Sequence, residues 1–296
     1  MVSLFFFILF LLVNFFYIKI WKKFSDKVPS GIGVLLTIPC FFYYFEQNLY
    51  FTSIVLILAF SFLYYLDDLK GIHFLSRLFL QTSASLVIYF SYTLEINFIT
   101  IFLNLIFFII LVNVLNFQDG EDLNISILFV PIFILFYLYS ESEIIKNVSK
   151  IIVLFLIAFS LFNSKKNTLY FGDSGCFFVA IIIFLFAYNE INNLILIKLL
   201  IAVLAFPAID VFYVILYRIF KKENLLSRNY LHVYQILAQK VNLKIYLVPN
   251  ILFSVLNILI SLNFLLEVKF IFFLVFINIL FLFIIRLIIK KLTQQL

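Results

Sequence analysis

Two adjacent aspartates, Asp67 and Asp68, close an uncharged apolar run that begins at Phe51. Asn113, Asn116, Asp119 and Asp122 then follow one another at three-residue steps in NVLNFQDGEDLN, and Asp173 lies beside Gly172 and close to Gly175 in YFGDSGC. A fourth stretch runs from Pro207 and Asp210 through Arg218 to Arg228, His232, Tyr234 and Gln235. Carboxylates brought together repel one another and raise each other's pKa unless a cation neutralises them. An oxygen-only, carboxylate-rich set suits a hard divalent ion, and Mg²⁺ in particular keeps waters and shares its shell with phosphates. The basic side chains nearby, Lys70 and Arg228 among them, together with His232, suit phosphate oxygens. The chemistry expected of these residues is therefore a Mg²⁺–phosphate site.

Taken singly, each stretch has a plainer reading. Asp67-Asp68 could end an exposed helix, FGDSG could be a turn, NFQDGED an acidic loop, and His232 an ordinary loop histidine. Asp210 resists this treatment, because it sits three residues after Pro207 within a long apolar run. Pro207 is expected to kink or break that helix and leave Asp210 at a wet bend.

The elements that must position these residues are membrane spans. Of the 296 residues, 66% are hydrophobic, 43 are Phe and only 12% are charged, against roughly 25% charged in soluble domains. About 20 apolar residues cross the hydrocarbon layer. The polar breaks accordingly divide the chain into about eleven helices, at approximately 2–20, 32–45, 50–66, 76–93, 97–115, 125–140, 148–163, 174–189, 193–218, 245–264 and 267–290. The fold class is all-α, a polytopic membrane protein forming one domain over residues 1–296, with its longest polar segment at about 219–244. The first twenty residues lack a basic start and a small-residue cleavage site, so they read as a first span and not as a signal peptide. Cys40 and Cys176 sit in apolar surroundings without metal-ligand spacing and read as buried thiols.

With the N-terminus outside, all of the 21 Lys and Arg except Lys146, Lys150, Lys198 and Lys269 fall on the inner side. Positive loops stay in the cytoplasm, which sets an N-out, C-in expectation. The net charge of +6 then reflects this asymmetry and an attraction to anionic membrane lipid, not nucleic-acid binding. Every aspartate lies on the inner side as well, whereas Glu46, Glu95, Glu141, Glu143, Glu190 and Glu267 read as solvated residues of outer loops. Orientation rules do not demand that division of the acids. Ionisable groups at the membrane edge are functional candidates by default.

In order and content the four stretches resemble the polyprenyl-phosphate N-acetylhexosamine-1-phosphate transferase family (glycosyltransferase family 4), which includes the phospho-MurNAc-pentapeptide translocase. The resemblance rests on Leu66-Asp67-Asp68 with Arg77 and Gln81; on Asn113, Asn116, Asp119, Gly120 and Asp122; and on Gly172, Asp173 and Gly175. It continues through Pro207, Asp210 and Arg218 to Arg228, His232, Tyr234 and Gln235, with a remnant of the family's first loop in DKVPSGIG. Leu123 stands where a glycine commonly follows, Cys176 where a serine is frequent, and the first loop lacks the Arg-Ser-x-His element. The peptidoglycan enzyme's triple histidine is also absent, which favours the branch that initiates O-antigen and related glycans.

The resemblance implies transfer of a sugar-1-phosphate from a UDP-N-acetylhexosamine to undecaprenyl phosphate, with release of UMP, at the cytoplasmic face of the bacterial inner membrane. It implies Mg²⁺ (or Mn²⁺ in its place) at Asp173, and Asp67, Asp68 and His232 as catalytic residues. Lys70 would contact the lipid phosphate; Asn113, Asn116, Asp119, Asp122 and Arg228 would contact the donor. It also suggests a homodimer. The rival from another class is a transporter with an intramembrane acidic cluster. Transporters place such residues near the midplane on repeated broken helices, and neither that placement nor a half-to-half repeat is visible here.

Overall fold

The computed structural model describes residues 2–38, 51–92, 96–225, 227, 229–240, 244–264 and 268–294. Among these the chain is helical, without strands: α1 (Val2–Phe24), α2 (Phe51–Lys70), α3 (Phe74–Tyr92), α4 (Phe98–Phe117), α5 (Asn124–Tyr139) and α6 (Glu143–Asn163) are followed by α7 (Asp173–Asn189), α8 (Leu194–Phe220), α9 (Val233–Lys240), α10 (Val248–Leu262) and α11 (Val268–Gln294). Six of the described helical segments are long and apolar enough to cross a membrane, and α5 and α7 are shorter apolar helices. The polar breaks in the sequence become helix ends with identifiable caps. Asn97 accepts from the amides of Ile99 and Thr100, Ser142 caps α6 and Asn193 caps α8. Each satisfies amides that a helix start leaves without partners.

α7 is the axis of the larger half. Its residues from Ser174 to Ile183 are buried on every side, as expected of a helix that is apolar all round. It packs against α2, α3 and α4 and against a short 3-10 turn, Ile32–Leu36. Phe177 stacks on Tyr64 of α2 with ring centroids 4.2 Å apart. A second, smaller core gathers Phe206 of α8, Val233 and Tyr234 of α9, Phe253 of α10 and Leu282 of α11. α5 touches both halves through α6, α8 and α10.

Four sequence expectations change. The helix expected at 32–45 begins instead as the 3-10 turn, and residues 39–50, Cys40 included, lie outside the described residues. The polar stretch 219–244 contains an unexpected helix, α9. α8 runs through Pro207 as one helix, and Asp210 is 2% exposed. There is no wet bend; the aspartate is enclosed by ionic partners. Glu190, expected on a solvated surface, is buried, because it closes the turn between α7 and α8 and receives several donors. Glu46, Glu95 and Glu267 lie outside the described residues.

Candidate active site

The α7 start is held by the chain on either side of it. Gly33 donates its amide to the Phe171 carbonyl (3.1 Å), and Tyr170 donates to that of Pro29 (2.8 Å). This lays residues 29–33 along the approach to α7. The two backbones meet at glycines. Gly172 has φ +90, and a Cβ there would strike the Gly31 backbone and come within 2.7 Å of Asp68 Oδ1; a Cβ on Gly33 would stand 2.5 Å from Gly175 Cα. Only glycine allows that approach.

Consecutive aspartates on a helix point about 100° apart, and the pair divides accordingly. Asp67 is buried and takes the Ile72 amide (2.7 Å) and the Arg77 guanidinium (2.6 and 2.9 Å). Asp68 turns to the first turn of α7. It accepts the amides of Asp173 (3.0 Å) and Ser174 (3.1 Å) and the hydroxyls of Ser174 (2.5 Å) and Ser30 (3.1 Å). A carboxylate at a helix N-terminus satisfies orphan amides and meets the positive end of the dipole.

The second acidic stretch reaches the same turn. Asp119 Oδ2 accepts the Gly172 amide (2.9 Å). Burial, then Asp173 and Asp68, push the Asp119 carboxyl well above the usual carboxylate range, against the pull of that amide. The Asn116 side chain lies beside Asp173, and its Oδ1 is buried without a hydrogen-bond partner. Asp173 Oδ2 lies 3.3 Å from Arg77, and its side chain is 35% exposed. Asp68, Asp119 and Asp173, 105 residues apart in sequence at the extremes, thus converge on Gly172–Ser174.

The other expected residues divide. Asn113 sits one turn before Asn116 and donates to Gln81 (3.5 Å) and to the Ile109 carbonyl (2.7 Å). Lys70 is exposed at the end of α2. Asp122 reaches the cluster through its charge, which adds to the rise of the Asp119 carboxyl. Its backbone carbonyl accepts from Tyr246 (2.9 Å), and Lys244 and Lys166 draw its carboxyl down against a larger rise from burial. Arg228 lies outside the described residues. Arg218 binds Glu223 (3.2 Å) and Ser227 (2.7 Å), closing the turn after α8 away from the cluster.

His232 belongs to a second polar centre, adjoining the first. Its Nδ1 faces Asp210 Oδ2 at 3.1 Å, and Nε2 is buried without a partner. Asp210 also accepts the Val233 amide (3.2 Å) and Arg286 (3.0 Å). The His232 ring packs on Phe117 with centroids 5.4 Å apart, and Tyr234 donates to the Phe117 carbonyl (2.5 Å). The loop carrying Asp119 therefore rests on this centre. Sequence reasoning missed Ser30, Ser174 and Arg286 as partners. The two serines lie inside motifs already singled out, whereas Arg286 gives no local signal, being 76 residues from Asp210.

Among the described residues no three of His, Cys, Asp and Glu are grouped to hold a metal. The donors beside Asp173 nevertheless fit a hard cation completed by waters and phosphate: a half-open carboxylate and the unpartnered Asn116 oxygen.

Residues 48–191 match the family model described as glycosyl transferase family 4. That span contains Asp67, Asp68, Asn116, Asp119 and Asp173. No curated protein matches the chain. The match supports a glycosyl transferase of the membrane in general terms.

Proposed function

We propose, from the glycosyl transferase family 4 match over residues 48–191, that this protein transfers an N-acetylhexosamine-1-phosphate from a UDP-sugar to undecaprenyl phosphate, releasing UMP. The product would initiate an O-antigen or another lipid-linked glycan of the bacterial cell envelope. The observation that carries the reading is the convergence of Asp68, Asp119 and Asp173 on the first turn of α7. In this reading the loops rich in Lys and Arg, which favour the cytoplasmic side, turn this end of the molecule toward the soluble donor.

The acceptor needs a lipid-facing approach, and a groove between α2 and α3 offers one. It is lined by Leu63, Leu66, Ile72, Leu75, Phe79 and Leu80, and Lys70 and Arg77 flank it in sequence. In this reading the acceptor's chain lies along the groove, and Lys70 meets its phosphate. Arg77, fixed by Asp67, sets the charge beside Asp173. Asp68 holds the α7 start rigid, so that Asp173 and Asn116 keep their positions while substrates exchange. Asp119 and Asn113 shape the donor side, with His232 behind the Phe117 loop.

Asp173 and Asn116 would hold Mg²⁺, which supplies neutralisation of the diphosphate charge. Positioning two polyanions in line and balancing their charge provides most of the acceleration in phosphoryl transfer.

The test is to incubate membranes containing the protein with undecaprenyl phosphate, Mg²⁺ and a panel of UDP-sugars. UMP should form with at least one N-acetylhexosamine donor, depend on the acceptor and stop with EDTA. Solute uptake into proteoliposomes without UMP release would replace this reading with a transporter.

A further inference from the structure

Arg286 lies on α11 and reaches the residues around His232 from outside every stretch that the sequence marks. Its Nη2 donates to Asp210 Oδ1 and to the Leu231 carbonyl, each at 3.0 Å, and the guanidinium lies over the Tyr213 ring at 4.0 Å. One nitrogen therefore ties α8 to the residue before His232. Asp210 passes the restraint on. Its Oδ2 faces His232 Nδ1 at 3.1 Å and accepts the Val233 amide at 3.2 Å, so the start of α9 is held on both sides of His232. That start in turn supports the loop after α4. Tyr234 donates to the Phe117 carbonyl, and a Cβ on Gly120 would come within 2.8 Å of Gln235 Nε2. Phe117 directly follows Asn116, so the restraint that begins at Arg286 ends one residue from the Asp173 site.

The same contacts fix the protons of the imidazole. A carboxylate oxygen only accepts, so Nδ1 carries the proton toward Asp210. His232 Nε2 is buried and has no hydrogen-bond partner among the described residues. A second proton there would leave a charged donor stranded in a buried place. Asp210 does not require that charge, because Arg286 already balances it. The rings beside the imidazole, Phe117 and Tyr234, supply no anion for it either.

We propose that Arg286 is a positioning residue which, through Asp210, keeps His232 in its neutral Nδ1–H form with Nε2 an open acceptor. The hydrogen bond made by one ring nitrogen decides the state of the other. In the transferase reading, on which a role in turnover rests, His232 then takes part as a neutral acceptor behind Phe117 and does not hold the diphosphate as a cation.

The test is ¹⁵N NMR of the full chain in nanodiscs, labelled at histidine. The chain has two histidines, and His73→Gln, at an exposed position just before α3, leaves His232 as the only imidazole. Wild-type His232 should show one protonated and one bare ring nitrogen. A protonated Nε2 would overturn the proposal, whatever the variants do. Arg286→Gln leaves Asp210 uncompensated and should convert the ring to its doubly protonated form. It should also lower UMP release per folded molecule roughly 10- to 100-fold, the scale of losing a residue that orients another. Arg286→Lys should restore both, since the two bonds leave from a single nitrogen that an ammonium can replace. An Arg286→Gln protein with a lower melting temperature but an unchanged imidazole spectrum would show a merely structural arginine and overturn the proposal. The expected spectra with no UMP formed from any donor would uphold the arrangement and count against the transferase reading alone.

Discussion

The two ends of α7 both meet carboxylates, and they treat them oppositely. At the far end Glu190 is 5% exposed and saturated: it takes the Ser140 hydroxyl, the amides of Glu141 (3.1 Å) and Ser142 (3.3 Å) and the Asn193 side chain (3.3 Å). Its oxygens tie the α5–α6 turn to the α7–α8 turn. At the near end Asp68 plays the same role, while Asp173 stays partly open with Arg77 and Asn116 as its contacts. A carboxylate whose lone pairs are filled by backbone donors is a fastener. One held by side chains at the edge of solvent can exchange partners, which is what a phosphate or cation site needs.

The strongest test of that contrast is Asp173→Asn. Steady-state UMP release should fall about 10²–10³-fold, the scale of losing one preorganised electrostatic group, while the melting temperature stays near wild type. Wild-type turnover at ordinary Mg²⁺ would remove Asp173 from the site. Glu190→Ala should do the reverse. Stranding its buried donors costs about 2–3 kcal/mol, seen as a lower detergent melting temperature, with turnover per folded molecule kept. A loss of turnover without a loss of stability would erase the distinction between the ends. The smallest effect is expected at Leu123, which has φ +64 at the entrance to α5. The left-handed conformation costs a side chain about 1 kcal/mol that glycine avoids. Leu123→Gly should therefore be more stable than Leu123→Ala by about that amount in thermal melts, opposite to the usual order.

Leu123 also shows what the sequence could and could not convey. A glycine is common at that place in the resembled family, and the positive φ supplies the physical reason; Asn163 accepts the Leu123 amide (2.5 Å) and helps hold the turn. The spans were legible because lipid demands long apolar runs. The aspartates gathered at helix ends were legible because acids are costly at a membrane edge. Asp67 and Asp68 facing different partners followed from helical geometry alone. Glu190 was not legible, since a loop glutamate looks the same whether water or a neighbouring turn receives it. Nor was the setting of Asp210, where the proline suggested an opening. The closure comes from α11, and no local pattern announces a contact across 76 residues.

The seam where Gly31 and Gly33 lie against Gly172 and Gly175 has a further consequence for biogenesis. Residues 29–33 emerge from the ribosome with the first helices, yet their mate arrives only after α6 has been inserted. Until then Asp68 has no amides of Asp173 or Ser174 to accept. The centre is thus assembled late, by a zipper of bare backbone that cannot close on a chain stalled before residue 175, whatever acids that chain already carries.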